Sequence, residues 1–428
     1  MPDSASKQGY YGWKVVGAIL FILTFTSGLS FYNHAIYLNV LAARPAFSVQ
    51  TTSIAISIFF LSGGVAGLWV AKFVQDYDPR YCICVGAVIS FVSLSSLGYV
   101  DAVWQLYLSY AFFGVGFAAS ALIPATTLVT RWFHKKRAMA LSIASTGLSL
   151  GGVILTPLSA LLVENVSFTT AAPILGLVYL LGVIPVSWIW LRPSPESMGL
   201  NADGVIVEQG DEAATVEAAT VDVAASSAKN DELLSSGGIS FKQARQGRFF
   251  WGISLAYIFL MMAQVGGIAH QYGLARELLT DSQTALAVAI LPVASIFGRL
   301  IGGWLIGQMS IRLFAMAMMV LQASSLLVLA GGYSVLSLCI GLAMFGATVG
   351  NLLMLQPLLI ADAFGIRDYA KIFSVASLMS SWGTAAGPAL LGYIYTSNQD
   401  HYQLAYSIAA MAGVLGLLLF VSAGSLKK

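Results

Sequence analysis

Twelve apolar runs, each long enough to cross a bilayer as a helix, constrain this chain more than any other feature. A hydrocarbon core of ~30 Å takes about 20 residues at ~1.5 Å each. Runs of that size recur between turn and charge signals near residues 13–41, 53–74, 81–100, 103–129, 138–163 and 171–191. They resume near 250–274, 282–308, 313–330, 335–361, 372–395 and 404–426. Within lipid every backbone N–H and C=O must be paired inside the segment, so the runs have to be helices. The expectation is an all-α membrane protein with twelve transmembrane helices in two pseudo-symmetric six-helix bundles. Residues 1–191 would form the first bundle, 192–248 a linker and 249–428 the second bundle.

The balance of residue types agrees with that reading. Charged residues are 9% of the chain and hydrophobic ones 58%, whereas a soluble domain carries about 25% charged residues. The basic residues are scattered over loops and form no patch, so no nucleic-acid partner is expected. Cys82, Cys84 and Cys339 lie in apolar runs, and Cys82-x-Cys84 lacks ligand spacing. No metal, cofactor or disulfide framework is expected from them. No nucleophile–base pair or phosphate loop stands out either, so the chain does not read as an enzyme.

The stretch NADGVIVEQGDEAATVEAATVDVAASSAKNDELLSSGG, within 192–248, has no aromatic residue and many Ala, Ser and acids. It cannot bury a core and is expected to be a partly disordered tether. Loop charges set the orientation. Lys7, Lys14, Lys72, Arg80, Arg131, Lys135, Lys136, Arg137, Arg312, Arg367, Lys371, Lys427 and Lys428 fall on the side of the termini and linker; only Arg44 and Arg276 fall opposite. The expectation is a multi-pass protein of the cell (inner) membrane with both termini cytoplasmic, working as a monomer in the lipid bilayer.

Arg299 carries the functional argument. It lies in SQTALAVAILPVASIFGRLIGGWLIGQ, nine residues before Gln308, which places it about 13 Å from that end, near mid-membrane. A guanidinium keeps its charge there and costs several kcal/mol unless a polar cavity or partner receives it. The spans offer no acid at comparable depth, so a small organic anion is the natural counter-ion. A structural tie between helix ends is the competing role. Ser295, Gly298, Gly302 and Gly303 around it let a substrate or a neighbouring helix approach closely. Asn33, His34, Asn351, Gln356 and Trp382 are candidate substrate contacts, each with helix packing as its alternative, and Tyr32 could wall the site. His270 and His34 are candidate proton carriers, since histidine titrates near neutrality.

The halves echo each other. AISIFFLSGGVAGLW, from Ala55, resembles AILPVASIFGRLIGGW, from Ala289; GLSLGGVILTP, ending at Pro157, resembles MSSWGTAAGP, ending at Pro388. Duplicated halves around a midplane site are a common transporter design. Four segments then resemble the major facilitator superfamily. KFVQDYDPRY is similar to the family's loop signature in altered form, with Gln75 and Asp76 at its usual Asp and Arg; Asp76, Asp78 and Arg80 are the gating candidates it implies. RWFHKKRAMALSIASTGLSLGGVILTPL, from Arg131, and RPSPESMGLNADG, from Arg192, resemble the bacterial monocarboxylate and oxalate–formate branches. So does IAHQYGLARELLTDSQTALAVAILPVASIFGRLIGGWL, with its eighth-span arginine.

The resemblance implies secondary active transport of a small monocarboxylate, lactate- or pyruvate-like, with proton coupling. Departures narrow it. Animal monocarboxylate transporters pair the arginine with an Asp one turn earlier, where this chain has Ser295. Their first-span lysine would fall near His34 or Ala35, and the oxalate carrier's eleventh-span lysine near Ser381 and Trp382. One cation without a partner suits a monocarboxylate better than a dicarboxylate. An oxalate/formate-type anion exchanger, a carrier of an unrelated solute, and a sensor built on a transporter fold are the alternatives.

Overall fold

The computed structural model describes residues 10–133, 136–204, 239–306, 308–331, 334–365, 368–399 and 401–424. The expected tether at 205–238 lies outside the described residues, as do Lys7, Lys135, Arg367, Lys427 and Lys428. The first six spans are Gly12–Ala42, Val49–Asp76, Pro79–Ser96, Val103–Trp132, Arg137–Asn165 and Phe168–Trp190. The second six are Arg248–Arg276, Asp281–Ile306, Ile311–Ala330, Val335–Phe364, Tyr369–Ser397 and Tyr402–Ser422.

Several spans outrun their apolar runs because polar residues cap them. Ser48 accepts the Thr51 N–H at 3.1 Å, and Asp78 accepts the Arg80 N–H at 3.0 Å ahead of Pro79. Such caps satisfy donors the first helical turn leaves free. The last span falls short of the expected residue 426. Gly424 takes φ 71° just after it, a left-handed conformation that ends a helix.

Three spans are interrupted. The first widens into a π-helical turn at Ser27–Tyr32, where Gly28 lies against the Gly151 backbone. The fourth breaks at Ala121, and the eighth breaks between Ala287 and Ile290. Pro124 and Pro292 stand in the first turn after these breaks, where a missing N–H does least harm. Breaks and π turns at membrane depth are tolerated when neighbouring helices satisfy the backbone, and they cluster at functional positions.

Among the described residues, eleven helices are long and apolar enough to span by length and hydropathy. The eleventh span, Tyr369–Ser397, is 29 residues long but falls outside that set. Ser374, Ser377, Ser380, Ser381 and Thr384 dilute it, and it packs on the seventh span and across the halves on the second. The first bundle buries a main apolar core running from Val15 to Leu191 and a small one around Val74; the second bundle has two, around Phe345 and around Phe250. Large apolar side chains such as Leu68, Trp69, Leu286, Leu300 and Leu336 are exposed, a surface made for hydrocarbon.

Backbone tethers dress the face carrying the linker. The Trp132 indole donates to the Arg192 carbonyl at 3.1 Å, and Arg131 donates to the Pro193 carbonyl at 3.4 Å. A short helix, Phe241–Gln246, docks through its Phe241 N–H onto the Asp368 carboxylate at 2.8 Å.

Candidate functional site

Four helices bring polar groups together at mid-depth between the halves. Arg299, on the eighth span, reaches across and donates from Nη1 to the Ser145 carbonyl of the fifth span at 3.1 Å. One turn along each helix, Ser149 Oγ donates to Ser295 Oγ at 3.4 Å. From the first span, Tyr32 brings its hydroxyl beside Ser149 and within electrostatic reach of Arg299. Gly152 makes this meeting possible, because a Cβ there would press on both Tyr32 and Pro292. From the tenth span, Gly350 lies flat against the Arg299 side chain, where a Cβ would collide with it.

The charge is poorly compensated. Among the described residues Asp78–Arg80, Arg276–Asp281 and Glu277–His401 form ion pairs, none of which touches Arg299. Its Nε is buried without a hydrogen-bond partner among the described residues. A guanidinium has five donors in a fixed fork, and among the described residues a single backbone carbonyl is its hydrogen-bond acceptor. Such a group can take a carboxylate through a charge-assisted contact.

The other expected contacts disperse. Asn351 is the nearest. It ties the tenth span to the eighth by donating to the Gly298 carbonyl at 2.9 Å, one residue from Arg299, and its Oδ1 covers Gly302. Gln356 ties the tenth span to the eleventh through Ser380 Oγ at 2.7 Å. Asn33 donates to Ser159 Oγ at 2.8 Å within the first bundle. His34 is fully buried in an aromatic box of Phe59, Phe60, Tyr110 and Phe113, with ring centroids at 4.3–6.0 Å. Trp382 is 56% exposed on the eleventh span. Sequence reading missed the Ser145 carbonyl and Ser149; a backbone acceptor leaves no signal in residue identity.

His270 marks the closure on the face opposite the linker. Its Nε2 lies 3.1 Å from the Pro388 carbonyl and 3.3 Å from Ser53 Oγ, which belongs to the other bundle; its Nδ1 lies 3.4 Å from the Tyr402 hydroxyl. One turn along the second span, Ser57 Oγ accepts the Ala389 N–H at 3.1 Å. Ser282 Oγ donates to Glu164 nearer that face at 3.1 Å. Burial pushes the Glu277 carboxyl upward at the same end, against the Tyr402 N–H that it accepts. Toward the linker face lies instead a half-open cavity of about 300 Å³, walled by Leu23, Leu122, Leu141 and Ser145 of the first bundle and by Met354 of the second.

The gating candidates do not cross between bundles in this arrangement. Asp78 and Arg80 pair with each other at 2.6 Å, and Arg80 lies 5.2 Å from the Trp188 ring. Asp76 is exposed, and the side chain of Gln75 is not among those described. Serine contacts hold the opposite face, and each hydrogen bond contributes roughly 0.5–1.5 kcal/mol. Ser53→Ala with Ser57→Ala is therefore expected to raise the population open on that face by about tenfold or more. Maleimide labelling of a cysteine placed beneath the closure would read this; unchanged labelling would remove the serines from the gate.

Two six-helix bundles that meet at a midplane polar cluster define a secondary transporter. The profile of the Major Facilitator Superfamily matches residues 20–272 and 257–426, and the chain belongs to that family. It is 24% identical to a probable hexose phosphate transport protein of Chlamydia trachomatis, over 98% of this chain and 92% of the relative. It is 22% identical to monocarboxylate transporter 2 of Meriones unguiculatus, over 98% and 85%. A crystal structure of the peptide transporter POT superposes with a TM-score of 0.70 at 16% identity, covering 96% of each chain.

Proposed function

We propose that the chain is a proton-coupled carrier of small monocarboxylates. The observation that carries the reading is the Arg299 guanidinium, held between the bundles with no acid beside it and a buried, unpartnered Nε. A carboxylate arriving from the cavity would neutralise it, and neutralisation lowers the cost of closing the bundles around both. Residues 1–191 and 249–428 rock about this point, with 192–248 as the tether between them. The linker face is cytoplasmic by its excess of Lys and Arg, so the cavity faces inward and the protein belongs to the cell membrane. Asn351 holds the eighth and tenth spans around the arginine. His270 is the better proton carrier of the two histidines, because its ring bridges the bundles at a contact that must break when the outer face opens.

Labelled lactate, pyruvate and butyrate are expected to accumulate in proteoliposomes under an inward proton gradient. Hexose 6-phosphate is expected to compete poorly, since a phosphate ester on a sugar needs more donors than this cluster supplies. His270→Gln should lower gradient-driven accumulation while sparing counterflow, and His34→Phe should leave both intact. Verified protein that carries none of the acids would reject the monocarboxylate reading. Unchanged accumulation by His270→Gln would exclude the histidine route.

A further inference from the structure

We infer that the cargo carries an apolar body larger than that of lactate, lodged in the cavity beside Arg299. This rests on the monocarboxylate reading of that arginine and adds the chemistry of the remainder of the molecule. The cavity touches the site at two points. Ser145, whose carbonyl holds the guanidinium, is in its wall. Met354 lies one turn beyond Gly350, the residue pressed against the Arg299 side chain. A carboxylate on Arg299 would therefore leave its remaining atoms in this space.

The space is suited to hydrocarbon. Its volume of about 300 Å³ corresponds to roughly ten water-sized groups at ~30 Å³ each. Lactate has three non-hydrogen atoms outside its carboxylate, and would leave much of it empty. Leu23, Leu122, Val129, Leu141 and Met354, together with two alanines, form most of the wall, with no charged side chain or amide among its lining residues. Of its three hydroxyls, Thr126 donates to the Ile123 carbonyl at 2.9 Å and Ser145 to the Ser142 carbonyl at 3.0 Å. A second carboxylate or a row of sugar hydroxyls would be buried there with too few partners, which costs affinity steeply. A methylene chain or an aromatic ring loses nothing and leaves water.

The test is ligand-induced thermal stabilisation of the purified full-length protein by acetate, butyrate, hexanoate, lactate and oxalate, with hexan-1-ol as the uncharged control. Affinity is expected to rise about threefold to fourfold per methylene from acetate to hexanoate, with lactate and oxalate weaker than butyrate and hexan-1-ol without effect. Met354→Trp, which fills the cavity, should weaken hexanoate at least tenfold and leave acetate within about twofold. The unmodified protein's chain-length series stands even where that variant folds poorly. Lactate or oxalate binding as tightly as hexanoate, with Arg299→Gln abolishing both, would overturn the apolar-body inference and leave the anion site standing. A chain-length series that survives in Arg299→Gln would overturn both readings, because the cavity would then bind without the charge.

Discussion

Arg299→Gln is expected to lower carboxylate transport by about thirtyfold or more while leaving the protein as thermostable as before, or more so. The first half of that expectation follows from the pairing. Truncating one partner of a buried charge pair costs about 2–5 kcal/mol, and each 1.4 kcal/mol is a factor of ten. The second half follows from desolvation. The arginine is charged at mid-membrane, has one backbone acceptor at 3.1 Å and leaves Nε buried without a partner. Replacing a poorly compensated buried charge by a neutral group is commonly neutral or stabilising. Activity lost while stability is kept or gained marks a residue retained for function at a structural cost. Arg299→Lys should be intermediate, because a point charge cannot hold the Ser145 carbonyl and grip a carboxylate with two parallel bonds at once. Were Arg299 only a tie between bundles, Arg299→Gln would lower the melting temperature and change transport rate without changing apparent affinity. A melting curve and a saturation curve on the same preparation separate the two.

The location of the spans was legible because hydrocarbon imposes one rule on every residue of a span, and length and apolarity suffice to see it. The eleventh span tests that rule. Its run of small hydroxyl residues weakens the hydropathy signal, yet Gly383 and Gly387 pack it onto the seventh span and Ser57 holds it to the second. The interruptions were not legible, since the π turn at Ser27–Tyr32 goes with the close approach of Gly28 to Gly151, a tertiary contact. For the fifth and eleventh spans the sequence echo and the packing differ in register. Aligning Pro157 with Pro388 puts Gly152 opposite Gly383. By packing, the equivalents are Gly147 and Gly151 on the fifth span and Gly383 and Gly387 on the eleventh.

For the site, Arg299 could be picked out because an unpaired charge at mid-depth is rare enough to carry meaning alone. Uncharged polar residues gave no such discrimination. Asn33, Asn351 and Gln356 have the same character in sequence, but only Asn351 falls beside the arginine; Asn33 and Gln356 fasten helices to one another. His34 looked like a cavity residue because a histidine in a span suggests water, whereas Phe59, Phe60, Tyr110 and Phe113 close around it from two other helices of its own bundle. The altered loop signature pointed to gating residues, and Asp78 and Arg80 are instead satisfied by each other on the face where the cavity lies.

Gly383→Leu is expected to abolish folding, and Gly151→Leu to do the same in the other bundle. In each half, two glycines four residues apart let one span lie directly on the backbone of another. Cβ atoms at Gly147 and Gly151 would run into the Leu20 and Thr24 carbonyls of the first span. Cβ atoms at Gly383 and Gly387 would run into the Ile258 and Met262 carbonyls of the seventh. The obstacle is backbone, which cannot rotate aside as a side chain does. Within lipid the attraction between spans comes from close packing, with no hydrophobic drive to restore it. Overpacking by a single methyl already costs about 1–3 kcal/mol, so Gly383→Ala should lower the melting temperature by several degrees, and a leucine exceeds what a marginally stable chain can absorb. Gly17→Ala in the first span is the matched control: no atom outside its own helix lies within 4 Å of that Cβ, and alanine favours the helix by about 1 kcal/mol over glycine. It should express as well as the unmodified protein and melt no lower. Size-exclusion profiles and melting curves of the four variants decide the matter. A monodisperse, transport-competent Gly383→Leu protein would mean that the seventh and eleventh spans do not approach at this glycine, and with it would fall the packing that sets Pro388 against His270 and Ala389 against Ser57 at the closure opposite the linker.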